Sequence, residues 1–127
     1  MRFLVAVAAS LVFDTQPISA QEGIERTDTA EHMLSICDLS LPDTIAEVSE
    51  VVCISRLWGV GQVMIFNCQS EEAGYRVPED LKMSGNISHG AARQAFINYM
   101  RDNPQDWGLH WAQVASFALS QTFPCEN

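Results

Sequence analysis

The eighteen residues VVCISRLWGVGQVMIFNC, residues 51–68, decide how the chain folds. Arg56 is their one charge, and apolar side chains fall on most sides of any helix drawn through them. A helical period extends on both sides: Ile45, Val48, Val52, Leu57, Gly61, Met64 and Cys68 recur at three- to five-residue spacing. Thr44 followed by Glu47 is a capping box and marks the start. The pattern predicts one long helix over 44–68. A helix apolar all round is normally central to its domain, so residues 51–66 are expected to be enclosed, with Met64 and Phe66 in the core. Gly59 and Gly61 each weaken a helix interior by up to about 1 kcal/mol, and the close approach of another helix is the expected reason for them.

Other helices assemble around it. Asp28 with Glu31 is a second capping box, and Ala30, Met33, Leu34 and Cys37 share one face of a short helix that ends before Pro42. Ser88 is the expected N-cap of a third helix, with Ala91, Ala92, Ala95, Phe96, Tyr99 and Met100 as its apolar stripe to about Arg101. Asp102-Asn103-Pro104 breaks the chain. A last helix is predicted from about Leu109 to Thr122, with Ala112, Ala115, Leu119 and Phe123 inward. Residues 69–87 read as a long loop, and Asn86-Ile87-Ser88 within it is formally a glycosylation sequon. No alternating strand pattern of useful length occurs. The fold class is all-α: a compact bundle of four main helices, with a long loop between the second and third.

Residues 1–20 have the layout of a secretory signal peptide: Arg2, an apolar run from Phe3 to Phe13, and a small residue, Ala20, at the expected cleavage point. That run is too short to span a bilayer, and no later stretch reads as transmembrane. Residues 21–127 then form one domain. Sixteen Asp and Glu stand against seven Lys and Arg, for a net charge of −9. Such a chain has no basic face for nucleic acid and is repelled by anionic membrane surfaces. A basic protein partner suits it.

Cys37, Cys53, Cys68 and Cys125 are even in number and follow the signal sequence, which reads as two disulfides. Four cysteines allow three pairings. Antiparallel packing of the first two helices brings Cys37 to Cys53, and Cys68 then joins Cys125 and ties down the chain end. On the chain-entropy model these bridges contribute about 3 and about 4 kcal/mol.

Cys53-Ile-Ser-Arg-Leu-Trp-Gly-Val-Gly-Gln62, the Ser88–Pro104 helix with its x-Pro break, and Ala118-Leu119 leading to Thr122-Phe-Pro-Cys125 together resemble the Rap/Tai family of type VI secretion immunity proteins. The likeness covers residues 31–125. The chain departs from the family pattern at Arg56, often aromatic there, at Gln62, often acidic, and at Cys68, whose usual counterpart lies near Met83. The resemblance implies a periplasmic, homodimeric protein that is not an enzyme. It would bind a toxin delivered by neighbouring cells, of the peptidoglycan amidase class, and block its active site. It also implies that the segment between the last two helices serves as the plug. That segment carries Asp102, Asn103, Gln105, Asp106, Trp107, Leu109 and His110 as partner-binding candidates.

Trp107 has two readings: a rigid interface aromatic of the kind that dominates binding energy, or a side chain folded back as a hydrophobic staple. Asp102 and Asp106 could steer the segment toward a basic cleft. Trp111 is assigned to the core or to a dimer contact. His32, His89 and His110 fall in separate elements with no i, i+4 pair, so no metal site and no cofactor is assigned. With the cysteines oxidised no nucleophile is identified, and no catalytic set is assigned. Glu71-Glu72 and Glu79-Asp80 read as a solvated acidic face. Two other functions compete with toxin inhibition: a helical periplasmic binding or chaperone-like protein without a cognate toxin, and a small secreted hydrolase.

Overall fold

The computed structural model describes residues 26–38 and 43–126. The predicted signal peptide and Pro42 lie outside the described residues, as does the Thr44 side chain of the expected capping box. Four helices carry the fold: α1 Ala30–Cys37, α2 Asp43–Glu72, α3 His89–Asp102 and α4 Trp111–Thr122. Single 3-10 turns occupy Arg26–Asp28, Glu79–Leu81 and Pro104–Asp106. Among the described residues the only β pairing is one isolated antiparallel bridge between Thr29 and His110. The chain is an all-α bundle.

The thirty residues of α2 give it a length of about 45 Å, and the other three helices pack along one side of it. Cys53, Leu57, Gly61 and Met64 on α2 are buried. The main core joins Met33, Cys37, Cys53, Leu57, Phe96 and Met100 with Val114 and Ala115 of α4. A second, smaller core joins Met64, Met83, Ala92 and Leu119. Cys37 is bonded to Cys53, with Cα atoms 5.2 Å apart, and Cys68 to Cys125, at 6.0 Å. The first bridge holds α1 against α2; the second fastens the chain end to the far end of α2.

Several expectations need correction. The cap of α1 is Thr29, not Asp28: its side chain accepts from the His32 N–H, and its backbone is held by the bridge to His110. Tertiary pairing, not the local capping pattern, sets where this helix begins. α2 runs on to Glu72, and α4 starts at Trp111 with His110 as its cap. Ser88 caps α3 as expected, accepting from the Ala91 N–H. Neither glycine of α2 admits another helix: Gly61 faces the Met83 sulfur of the following loop, and Gly59 faces open space. Phe66 is not core but largely exposed, as are Val48, Val51 and Val63. By length and composition Ala46–Glu71 would suffice to cross a membrane, contrary to the expectation that no such stretch follows residues 1–20.

The long loop is fastened rather than loose. Lys82 is buried, with its ammonium donating to Glu71 and, at 2.7 Å, to Glu79. Glu71 and Glu79 are exposed, as expected of a solvated acidic face, and in addition neutralise this buried cation. Their hydrogen bonds, from Glu71 first, hold the Lys82 ammonium above its ordinary pKa against the opposing effect of burial. Backbone bonds from Met83 to Met64 and from Ser84 to Phe123 close the loop over α2 and the chain end.

Candidate functional site

The segment from Asp102 to His110 is a built edge. Asn103 ends α3, donating from its backbone and from its side-chain amide to the Tyr99 carbonyl. Pro104 opens the 3-10 turn, where its missing N–H costs nothing. The Asp106 carboxylate accepts from the Tyr99 hydroxyl at 2.8 Å. Desolvation first, and this bond second, push the Tyr99 pKa up to about 12.

Trp107 takes the inward reading. Its indole Nε1 donates to the Met100 carbonyl at 2.7 Å, and its ring packs on the main core. Leu109 packs there as well. The first backbone N–H groups of α1 then bind this segment: Ala30 donates to Leu109 and Glu31 to Trp107, at 2.8 and 3.0 Å. These donors would otherwise lack partners at a helix start. His110 caps α4 through Nδ1, which accepts from the Ala112 N–H at 3.2 Å.

Of the seven candidate residues, then, Trp107, Leu109 and His110 are half-buried and shape the segment from within, and Asn103 and Asp106 pin it. Asp102 and Gln105 are exposed, together with Pro104 and Gly108. The structure keeps all seven on one edge between α3 and α4, and Asp102, Gln105 and the turn around them are what a partner would meet.

A second surface went unread in the sequence. Between α2, α4 and the Asp80–Leu81 turn lies a groove of about 640 Å³, walled by Val60, Val63, Trp111 and Phe117 and open above Gly59. Arg56 lies over the Trp111 ring, 5.4 Å from its centroid, at the groove's edge. The signal for it was present: Val48, Ser55, Gly59, Val63 and Phe66 recur at helical spacing opposite the cysteine-bearing side of α2. Hydropathy alone does not separate such a face from a core face.

His32 and His110 lie on either side of the α1 start, while His89 meets Trp58 edge-on at 4.7 Å at the start of α3. Among the described residues no group of three His, Cys, Asp or Glu side chains could hold a metal ion. Comparison of the chain with protein-family models, curated proteins and solved structures gives no match.

Proposed function

We propose that this protein is an exported inhibitor that uses its Asp102–His110 edge to block the active site of a secreted toxin. One observation carries the reading: the segment is fixed before any partner arrives. Its contacts to Tyr99, Met100 and the α1 start hold the backbone, and the exposed acidic and polar positions face outward. A preordered segment loses little conformational freedom on binding, which is the property an occluding plug needs. The net charge of −9 favours a basic partner. Two disulfides favour an oxidising compartment, and with the leader-like N-terminus that compartment is the periplasm. The resemblance to Rap/Tai immunity proteins makes the toxin a peptidoglycan amidase of a type VI secretion system.

The groove between α2 and α4 favours a second reading, in which the protein shelters apolar segments of many clients. The two differ in stoichiometry. Adding the oxidised protein to peptidoglycan amidases secreted by competing cells tests the first: one enzyme should lose its amide-cleaving activity at one inhibitor per active site. Failure to inhibit any of them, together with weak capture of many unfolded chains, would favour the sheltering reading.

A further inference from the structure

We propose that the groove between α2, α4 and the Asp80–Leu81 turn binds a single-chain anionic amphiphile of the fatty-acid class, with its carboxylate on Arg56 and its alkyl chain running toward Asn67. The proposal does not depend on the toxin reading. It gives to one small molecule the groove that the sheltering reading gives to unfolded chains.

The shape of the groove calls for a linear, apolar body. Its volume of about 640 Å³ lies in the range of small-molecule sites, and its walls are mostly apolar, as in such sites. α2 and α4 pass it in the same direction: Arg56 meets Trp111 at one end, and beyond the other end Cys68 is bonded to Cys125. Arg56 and Asn67 both line it and stand eleven positions apart on α2, about 16 Å along the axis. An extended alkyl chain of about twelve carbons with its head group has that length. Gly59 lies between them, with nothing within 4 Å of where a Cβ would stand. A glycine weakens a helix interior, and an alkyl chain lying across the bare backbone accounts for this one.

The charges set which end holds the head group. Among the described residues, Lys82, Arg93 and Arg56 are the cations at least partly buried. Lys82 is paired with Glu71 and Glu79, and Arg93 with Glu50. Arg56 has no carboxylate partner among the described residues. Its guanidinium is held over the Trp111 ring at 5.4 Å, and one nitrogen faces the Met33 sulfur, a weak acceptor, at 3.9 Å. A guanidinium already stacked and oriented is a receptor for a carboxylate, which it binds through two parallel N–H donors. α4 begins at the same end, where its dipole also favours an anion. Among the described residues Asp80 is the one acid on the groove. It belongs to the turn that Asn67 fastens by donating to the Leu81 carbonyl at 2.9 Å, so it stands at the opposite end and repels a head group there. A net charge of −9 keeps the chain off an anionic bilayer, so the ligand is a single molecule and not a membrane surface.

Calorimetric titration of the oxidised protein with dodecanoate, kept below its micelle concentration, tests this. Wild type should bind one molecule per chain, and affinity across octanoate, decanoate and dodecanoate should rise about fourfold per methylene. Dodecyltrimethylammonium, with the same chain and the opposite charge, should bind at least about tenfold more weakly than dodecanoate. Arg56→Gln should weaken dodecanoate binding by about ten- to a hundredfold. Gly59→Leu should fill the groove and abolish binding, with an unfolding midpoint no lower than that of wild type, since the new side chain starts in open space. Asp80→Asn should bind at least as tightly as wild type. A wild type that binds no dodecanoate would overturn the proposal. So would Arg56→Gln or Gly59→Leu binding as wild type does, a preference for the alkyl cation, or weaker binding by Asp80→Asn. An apolar peptide that occupies the groove and is not displaced by dodecanoate would also overturn it and assign the groove to client chains.

Discussion

The Tyr99 hydroxyl donates to the Asp106 carboxylate at 2.8 Å and so joins the end of α3 to the turn that follows it. The bond crosses the x-Pro break where a chain is most free to wander. With the indole bond from Trp107 to Met100 it turns the eight-residue connection between α3 and α4 into a fixed edge. Tyr99→Phe keeps the ring and removes the bond. The expected cost is about 1–2 kcal/mol, because the acceptor is ionised, measured by denaturant unfolding.

The same pair shapes the alkaline limb of stability. The Tyr99 pKa is raised from 10.0 to about 12 in the folded protein. The folded state therefore holds this proton more tightly than the unfolded state. Its contribution is complete below pH 10 and is lost as pH rises from 10 through 12. Lys82, also raised, is lost in the same direction. Wild type should lose stability across that window, and Tyr99→Phe should show a shallower loss. An equal slope in both proteins would refute the assignment.

Trp107 anchors the edge from within. Trp107→Ala removes a large ring from the core margin and should destabilise the protein by about 2–4 kcal/mol. Trp107→Phe retains most of the packing but orphans the Met100 carbonyl, at about 1 kcal/mol. The sign of an interface role would be different: loss of partner binding with unfolding unchanged.

The Cys68–Cys125 bridge closes the longer loop, with a sequence separation of 57 against 16 for Cys37–Cys53. On the chain-entropy model, Cys125→Ser together with Cys68→Ser should cost about 4 kcal/mol, and the pair Cys37→Ser, Cys53→Ser about 3. The first pair should also free the chain end. Limited proteolysis after Thr122 should become fast in that variant and stay slow in the other.

What the sequence disclosed follows the range of the interactions involved. The Ser88 cap is local, and it formed where the pattern placed it. Cys68–Cys125, 57 residues apart, was only the pair left over, whereas Cys37–Cys53 followed from a short connection and antiparallel packing and was readable. The start of α1 was not, because a bridge between Thr29 and His110, far apart in the chain, overrides the Asp28 pattern. Lys82 could not be matched with Glu71 before the loop was seen to fold back along α2. Phe66 was assigned to the core because its hydropathy is that of a core residue, whichever side of α2 it occupies. The Asp102–His110 edge was legible as a segment, but which of its side chains point out was not: Trp107 had two readings until its indole bond fixed one.

The most direct test of the inhibitor reading replaces only side chains that point outward. The oxidised protein and an Asp102→Arg, Gln105→Arg variant would be titrated calorimetrically against the amidase that the wild type inhibits. Wild type should bind at one to one, and the variant should bind at least about a hundredfold more weakly with an unchanged unfolding midpoint. Equal affinity of the two proteins would contradict the central claim and move the blocking surface off the Asp102–His110 edge.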